Sequence, residues 1–383
     1  MTFTRAIETL FNHLSTWRTQ DVRESGIELS LRAYSPSDLA GMDHNARWKR
    51  LCNEGSHDLQ DLKFEKSYLR LVAANENASS QQELLPELSI VTKLELQNTR
   101  HFWPATACLI ASKLPRLVSI DFCLWDSEKK DLPLRLRARS GFIKGIPSLP
   151  PSARQFTLSY GYSPPSLETY SPPNIIPAGE DDALSTSLRI FSQQLTSLYL
   201  SSLVVASEFF WPLDSDLTPG NAPHWPNLTS LRIEYCAVTP YGEWLFERDP
   251  DDEIESDSDR SWDVSEFMSE PQLRAREDWA TDHFRVIPNA RLMNDFYLAA
   301  GHAAAKMPRL KEMALVAINP DREHTLAFTV ADTLASLTIR SKPIFKLEAN
   351  VLDVWKEAAR ERTGAELAVH FLLPDMFEEW LNK

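Results

Sequence analysis

Pro226-Asn-Leu228-Thr-Ser-Leu231-Arg-Ile233 and Pro308-Arg-Leu310-Lys-Glu-Met313-Ala-Leu315 are two copies of one phrase, L-x-x-L-x-L, in which Met or an aromatic residue sometimes replaces Leu. The closing L-x-L alternates at period two. In an extended chain this spacing puts both apolar side chains on one face and the residue between them on the other, so each phrase encodes a short strand with one buried face. The phrase recurs at Pro115-Arg-Leu117-Val-Ser-Ile120-Asp-Phe122, Pro151-Ser-Ala153-Arg-Gln-Phe156-Thr-Leu158, Leu195-Thr-Ser-Leu198-Tyr-Leu200 and Leu334-Ala-Ser-Leu337-Thr-Ile339. A looser copy ends in Leu94-Glu-Leu96.

The strand starts at Leu94, Ile120, Phe156, Leu198, Leu231, Met313 and Leu337 lie about 24 to 42 residues apart, with one gap of about 82, and the shortest separations match a leucine-rich repeat period. Two of the segments that follow, ending Phe102-Trp103-Pro104 and Phe210-Trp211-Pro212, share Phe-Trp-Pro. Proline at a helix's first turn forfeits no hydrogen bond, so Pro104 is expected to open a helix over residues 105–113. The expected fold is α/β: a leucine-rich-repeat-like solenoid with a curved, mostly parallel sheet and helices on the outer face. Stacked repeats bury surface against their neighbours, so 383 residues fit one irregular repeat domain, 1–383.

Terminal repeats need caps. At residues 1–34 the apolar Phe3, Ile7, Leu10, Phe11, Leu14 and Trp17 fall at helical spacing, and after Gly26 comes the alternating strand Ile27-Glu-Leu29-Ser-Leu31. Residues 350–383 mirror this, with a helix over 351–362, a stop at Gly364, a strand over 367–371 and a last helix after Pro374. An amphipathic helix is expected between Phe284 and Met307. Two stretches break the pattern: a Pro-rich segment, 163–182, read as a long surface loop, and an acidic insert, 248–270, read as disordered because its charges repel one another and its hydrophobicity is low. Ser256 and Ser258, set among acids, are possible phosphorylation sites.

Composition narrows the functional classes. Hydrophobic residues at 43% support a packed fold, while 54 Asp plus Glu against 40 Lys plus Arg give a net charge of −14, which repels polyphosphate and anionic lipid. No nucleic-acid or membrane partner is expected. Cys52, Cys108, Cys123 and Cys236 are too scattered for a zinc site or a disulfide scaffold, and neither a signal-like N-terminus nor a long apolar run is visible, so a cytoplasmic or nuclear location is expected. With 11 glycines, no phosphate-binding loop, no G-x-S-x-G, no H-E-x-x-H and nine scattered histidines, no cofactor, metal or catalytic residue is assigned. The alternative, a hydrolase of unrecognised class, would need titratable groups converging in a cleft. The basic run Arg135, Arg137, Arg139 and Lys144, after Lys129-Lys130, reads as a solvated strand around Leu134 to Ala138. An unknown protein partner is expected on the residues between the paired apolar positions, Glu95, Asp121, Thr157, Tyr199 and Arg232, with Tyr199 and Arg232 as anchors.

The segment from Phe3 to Trp17, Tyr34-Ser-Pro-Ser-Asp38, Leu149-Pro-Pro-Ser152, and the stretch from Arg291 through Ala305-Lys-Met-Pro-Arg-Leu310 to Leu315 together resemble a large group of fungal F-box-like leucine-rich-repeat proteins. The resemblance implies an adaptor in which an F-box docks on Skp1 within a cullin ubiquitin ligase while the repeats capture a substrate. An F-box would lie ahead of the helix at Phe3, so the expectation is an F-box-less relative for which a Skp1-type partner is doubtful.

Overall fold

The computed structural model describes residues 3–17, 26–33, 68–71, 85–97, 101–126, 132–162, 164–165, 168–177, 179–212, 222–250, 283–318, 324–331 and 333–373. The protein is mixed α/β, its strands mostly parallel. Two compact units are described in turn, Met1–Gly161 and Tyr162–Lys383.

In unit 1, helix α1 (Phe3–Leu14) turns Ile7, Phe11 and Leu14 inward. Strands β1 (Ile27–Leu31), β2 (Val91–Leu96), β3 (Ser119–Trp125) and β4 (Gln155–Gly161) then run parallel in chain order. Register places Leu29, Leu94, Ile120 and Phe156 in one row and Leu31, Leu96, Phe122 and Leu158 in the next, all buried. Each such side chain contributes roughly 1.5–3 kcal/mol by leaving water. Between β2 and β3, Pro104 opens α2 (Pro104–Ser112), as its place after Trp103 predicts.

The basic run is not a strand. It forms helix α3 (Leu132–Gly145), whose Phe142 packs edge-on against the inward Tyr160 of β4. The alternation of Leu and Arg is overridden by a tertiary contact: Arg135 and Arg139, four apart and so on one helical face, both turn inward onto Asp126, just past β3. Arg135 is bidentate to Asp126, at 3.2 and 3.0 Å, and Arg139 donates to Oδ2 at 3.2 Å. Arg137 stays exposed.

Unit 2 begins with the Pro-rich segment, whose described residues form no helix or strand, as expected of a loop, but part of which is buried. Ile175 and Ile176 are buried, and Glu168, 1% exposed, accepts the main-chain N–H groups of Phe284 and Arg285 at 2.8 and 2.6 Å. The Trp244 indole donates to the Tyr170 carbonyl at 3.0 Å. Two isoleucines and one carboxylate give the segment something to bury and pair, which its prolines do not. Asp182 then caps α4 (Ala183–Ser192), accepting from the N–H groups of Leu184 and Ser185.

Strands β5 (Ser197–Leu203), β6 (Ser230–Cys236) and β9 (Glu312–Ile318) pair in parallel, aligning Leu198, Leu231 and Met313. Strand β10 (His324–Ala331), which carries no copy of the phrase, is antiparallel to both β9 and β11 (Leu334–Ser341), so the strands are mostly but not wholly parallel. Only a hairpin-scale connection joins β10 to β11, too short for a parallel crossover. Helix α5 (Ala290–Ala305) lays Phe296 on Tyr235 of β6, and α6 (Ala349–Thr363) lays Trp355 on Phe328 of β10, so helices cover the apolar face. The two helices meet at Gly301, where a Cβ would lie 2.9 Å from Val354 Cγ1. Helix α6 ends at Gly364 in the left-handed region, φ 69°, and β12 (Leu367–Leu372) follows, parallel to β11.

The expected helix after Pro374, the acidic insert beyond Pro250, Ser256, Ser258, Lys129 and Lys130 lie outside the described residues. The flanks of the insert are described: β7 (Phe246–Arg248) and β8 (Arg285–Pro288) form an antiparallel ribbon with Arg248 opposite Arg285. The chain therefore leaves and returns at one place. Joining Pro250 to His283 leaves Asp249, Pro250, His283 and Phe284 between the paired arginines, an ordinary hairpin-loop length. This deletion is expected to move the thermal midpoint by less than about 3 °C, because closing a shorter loop costs little entropy. A fall of about 10 °C in a calorimetric scan, several kcal/mol for a chain of this size, would show that the segment packs.

Among the described residues, no helix is long and apolar enough to cross a membrane and no group of three or more His, Cys, Asp or Glu residues could hold a metal ion. Cys108 and Cys236 are buried and Cys123 half-buried.

Candidate functional site

Strand alternation leaves each sheet one polar face. In unit 1 the register brings Ser30, Glu95, Asp121 and Thr157 side by side on β1 to β4, the last three half-buried. Glu95 and Asp121 are like charges directly opposed on neighbouring strands, an arrangement that costs stability unless something offsets it. Hydrogen bonds from Gln97 and Ser30 hold the Glu95 carboxyl below its ordinary value. Asp121 is shifted the other way, first by burial and then by Glu95. The nearby Lys93 is taken by Glu28, at 2.7 Å.

In unit 2, Tyr199 of β5 and Arg232 of β6 are register partners on the polar face, and both lean on a residue that the L-x-L reading passes over, Glu234. The Arg232 guanidinium reaches Glu234 Oε1 through Nε at 2.9 Å and through a terminal nitrogen at 2.8 Å. Ser201 donates to Oε2 at 3.1 Å, and the Tyr199 hydroxyl bonds the same carboxylate. Burial raises the Tyr199 hydroxyl, and Glu234 raises it further. On Glu234 itself burial acts upward as the largest single influence, but the bonds from Arg232 and Tyr199 together bring the carboxyl down. Arg232 remains half exposed, its side chain at 51%. Extending the period-two count by one more residue would have found Glu234 and Ser201.

The five expected partner-binding residues thus form two aligned groups, Glu95, Asp121 and Thr157 on unit 1 and Tyr199 with Arg232 on unit 2.

A second feature of unit 2 has no counterpart in the sequence reading. Just beyond the carboxyl ends of β5 and β6, where parallel sheets commonly place ligands, lies a cleft of about 160 Å³. Its lining comes from the turn after β5 (Val205, Glu208), the segment after β6 (Tyr241, Leu245) and the first turns of α5 (Leu292, Phe296). Glu208 is 1% exposed. Its Oε1 accepts from the Tyr241 hydroxyl and, at 3.4 Å, from the Asp182 N–H, and its Oε2 accepts from Ser207 Oγ at 3.1 Å. Burial and then the Glu208 bond push the Tyr241 hydroxyl upward. Arg291, also at the cleft, holds Glu243 at 3.0 Å and Asp295 at 3.9 Å. These residues come from three separate segments, and no spacing rule links them.

Residues 281–376 match the model of a family of unknown function (DUF6546), a span that contains β8, α5, β9 to β11, α6 and β12. No curated protein and no solved structure matches the chain.

Proposed function

We propose that the protein is a non-catalytic recognition module of leucine-rich-repeat type, whose polar sheet face captures another protein. The observation that carries this reading is the pair Tyr199 and Arg232, adjacent on neighbouring strands and held in place by one carboxylate, Glu234. A rigid aromatic and a planar guanidinium dominate truncation costs at protein interfaces, and side chains already fixed by hydrogen bonds lose less entropy on binding. The parallel in-register L-x-L strands support the repeat reading. Kinship with ubiquitin-ligase substrate receptors rests on the sequence resemblance.

Replacing Tyr199 and Arg232 together by Ala is expected to leave the circular-dichroism melt within about 3 °C of the parent, since both lie on the polar face, Arg232 exposed and Tyr199 half-buried, outside the apolar core. The same variant should lose a partner that the parent retains in affinity purification. A folded double variant that still holds that partner would move the binding surface elsewhere.

A further inference from the structure

We propose that the cleft at the ends of β5 and β6 binds a small organic cation, an alkylammonium or quaternary ammonium group, with Glu208 as its counter-ion. The size fits: about 160 Å³ is comparable to a cavity that takes one benzene-sized molecule, roughly five to eight non-hydrogen atoms. The chemistry of the walls sets the charge. Tyr235, Tyr241 and Phe296 line the space together with the apolar Val205 and Leu245, and aromatic faces attract cations.

The buried carboxylate supplies the rest. Glu208 receives hydrogen bonds from neutral groups, yet among the described residues no cationic side chain pairs with its carboxylate. Arg189 donates to the main-chain oxygen of Glu208 and attracts its charge without bonding the carboxylate. Asp182, equally buried, sits beside it but is answered by the N-terminus of α4, whose N–H groups and the Ser185 hydroxyl it accepts. Arg291, the one cationic side chain of the lining, is 66% exposed and already bonded to Glu243 and Asp295. A buried charge is costly, and a cation entering the cleft adds attraction to the hydrogen bonds the carboxylate already accepts, whereas an anion would be repelled and a neutral guest would add none.

The test is isothermal titration calorimetry on the full chain at constant ionic strength, with n-butylammonium chloride as the probe, 1-butanol as its neutral near-isostere and sodium butyrate as the anion. Two variants accompany the parent: Glu208→Gln, which removes the charge, and Leu292→Trp, which fills the cleft from a half-exposed position on α5 and leaves the Glu208 hydrogen bonds in place. Butylammonium is expected to bind 1:1 with a Kd of about 0.1–5 mM, the range open to a ligand of about five non-hydrogen atoms. 1-Butanol and butyrate should bind at least about tenfold more weakly, and each variant should weaken butylammonium by at least about tenfold, the loss of one charge-assisted contact. Should Glu208→Gln fail to fold, the butanol comparison and Leu292→Trp decide. Equal affinity for butylammonium and 1-butanol, unchanged binding in folded Leu292→Trp, or no saturable heat would overturn the proposal.

Discussion

Asp126→Ala is expected to destabilise the protein by about 3–5 kcal/mol, the usual result of removing one partner from a buried ion pair. Asp126 is 1% exposed and faces two guanidinium groups, Arg135 and Arg139, each 3% exposed. Without the carboxylate, both guanidinium groups lose the acceptor they share, in a site shielded from water where such a loss costs far more than at the surface. Nor is there an easy escape to solvent, because both arginines sit on the inward side of α3 with Leu134 and Ala138. Asp126→Asn keeps the shape, loses the charge and should be nearly as damaging. The control is the triple variant Asp126→Leu, Arg135→Met, Arg139→Leu, which removes every charge at similar volume and should regain most of the loss, since well-packed apolar groups often match a buried ion cluster. Urea unfolding at neutral pH reads all three. A loss below about 1 kcal/mol in Asp126→Ala, the range of an exposed pair, would mean that water reaches the cluster.

The same cluster shows where the sequence stopped being legible. Strands governed by their own alternation were readable: Leu94-Glu-Leu96 and Leu231-Arg-Ile233 place their apolar residues as period two dictates, with the intervening Glu95 and Arg232 outward. So were helices with local punctuation, Pro104 at the start of α2 and Gly364 at the end of α6. Leu132-Pro-Leu-Arg-Leu-Arg-Ala-Arg alternates just as well, yet it is helical, because the partner that decides the matter, Asp126, is a tertiary one. Strand β10 was missed for a different reason. His324-Thr-Leu-Ala-Phe-Thr-Val alternates cleanly, but it lacks the L-x-x lead-in, so a search for repeats passes over it. The row Glu95, Asp121, Thr157 follows from register alone and was legible; the cleft around Glu208 was not, because its walls converge from residues 205–208, 235–245 and 291–296.

Strand β10 also carries the acid sensitivity expected of unit 2. His324, 1% exposed, lies among Phe246, Phe345 and the stacked ring of Tyr297, with ring centroids 5.4 to 5.9 Å away. Ser341 Oγ gives its proton to the Pro343 carbonyl at 2.6 Å, so the contact of 2.9 Å between Ser341 Oγ and His324 Nδ1 requires the imidazole to donate from Nδ1. Nε2 then carries only a lone pair, with no hydrogen-bond partner among the described residues. Burial holds this histidine neutral, its pKa lowered from 6.5 to about 3. The unfolded chain therefore binds a proton near pH 6.5 that the folded chain refuses until about pH 3, and stability is full above pH 6.5 and falls as the pH drops through that window. At about 1.4 kcal/mol per unit, His324 should cost about 2–3 kcal/mol by about pH 4.5. His302, also lowered by burial, adds to the slope in the same direction, so the parent's pH profile alone does not isolate one residue. His324→Phe does. It keeps an aromatic ring in the same pocket and loses the bond to Ser341, so at about pH 7.5 it should be less stable than the parent by about 1 kcal/mol. At about pH 4.5 the order should reverse, the variant exceeding the parent by about 1–2 kcal/mol, because nothing remains at that position for the unfolded chain to protonate. Urea-unfolding curves of the two proteins that stay parallel across this range would show that His324 takes up its proton without leaving the fold.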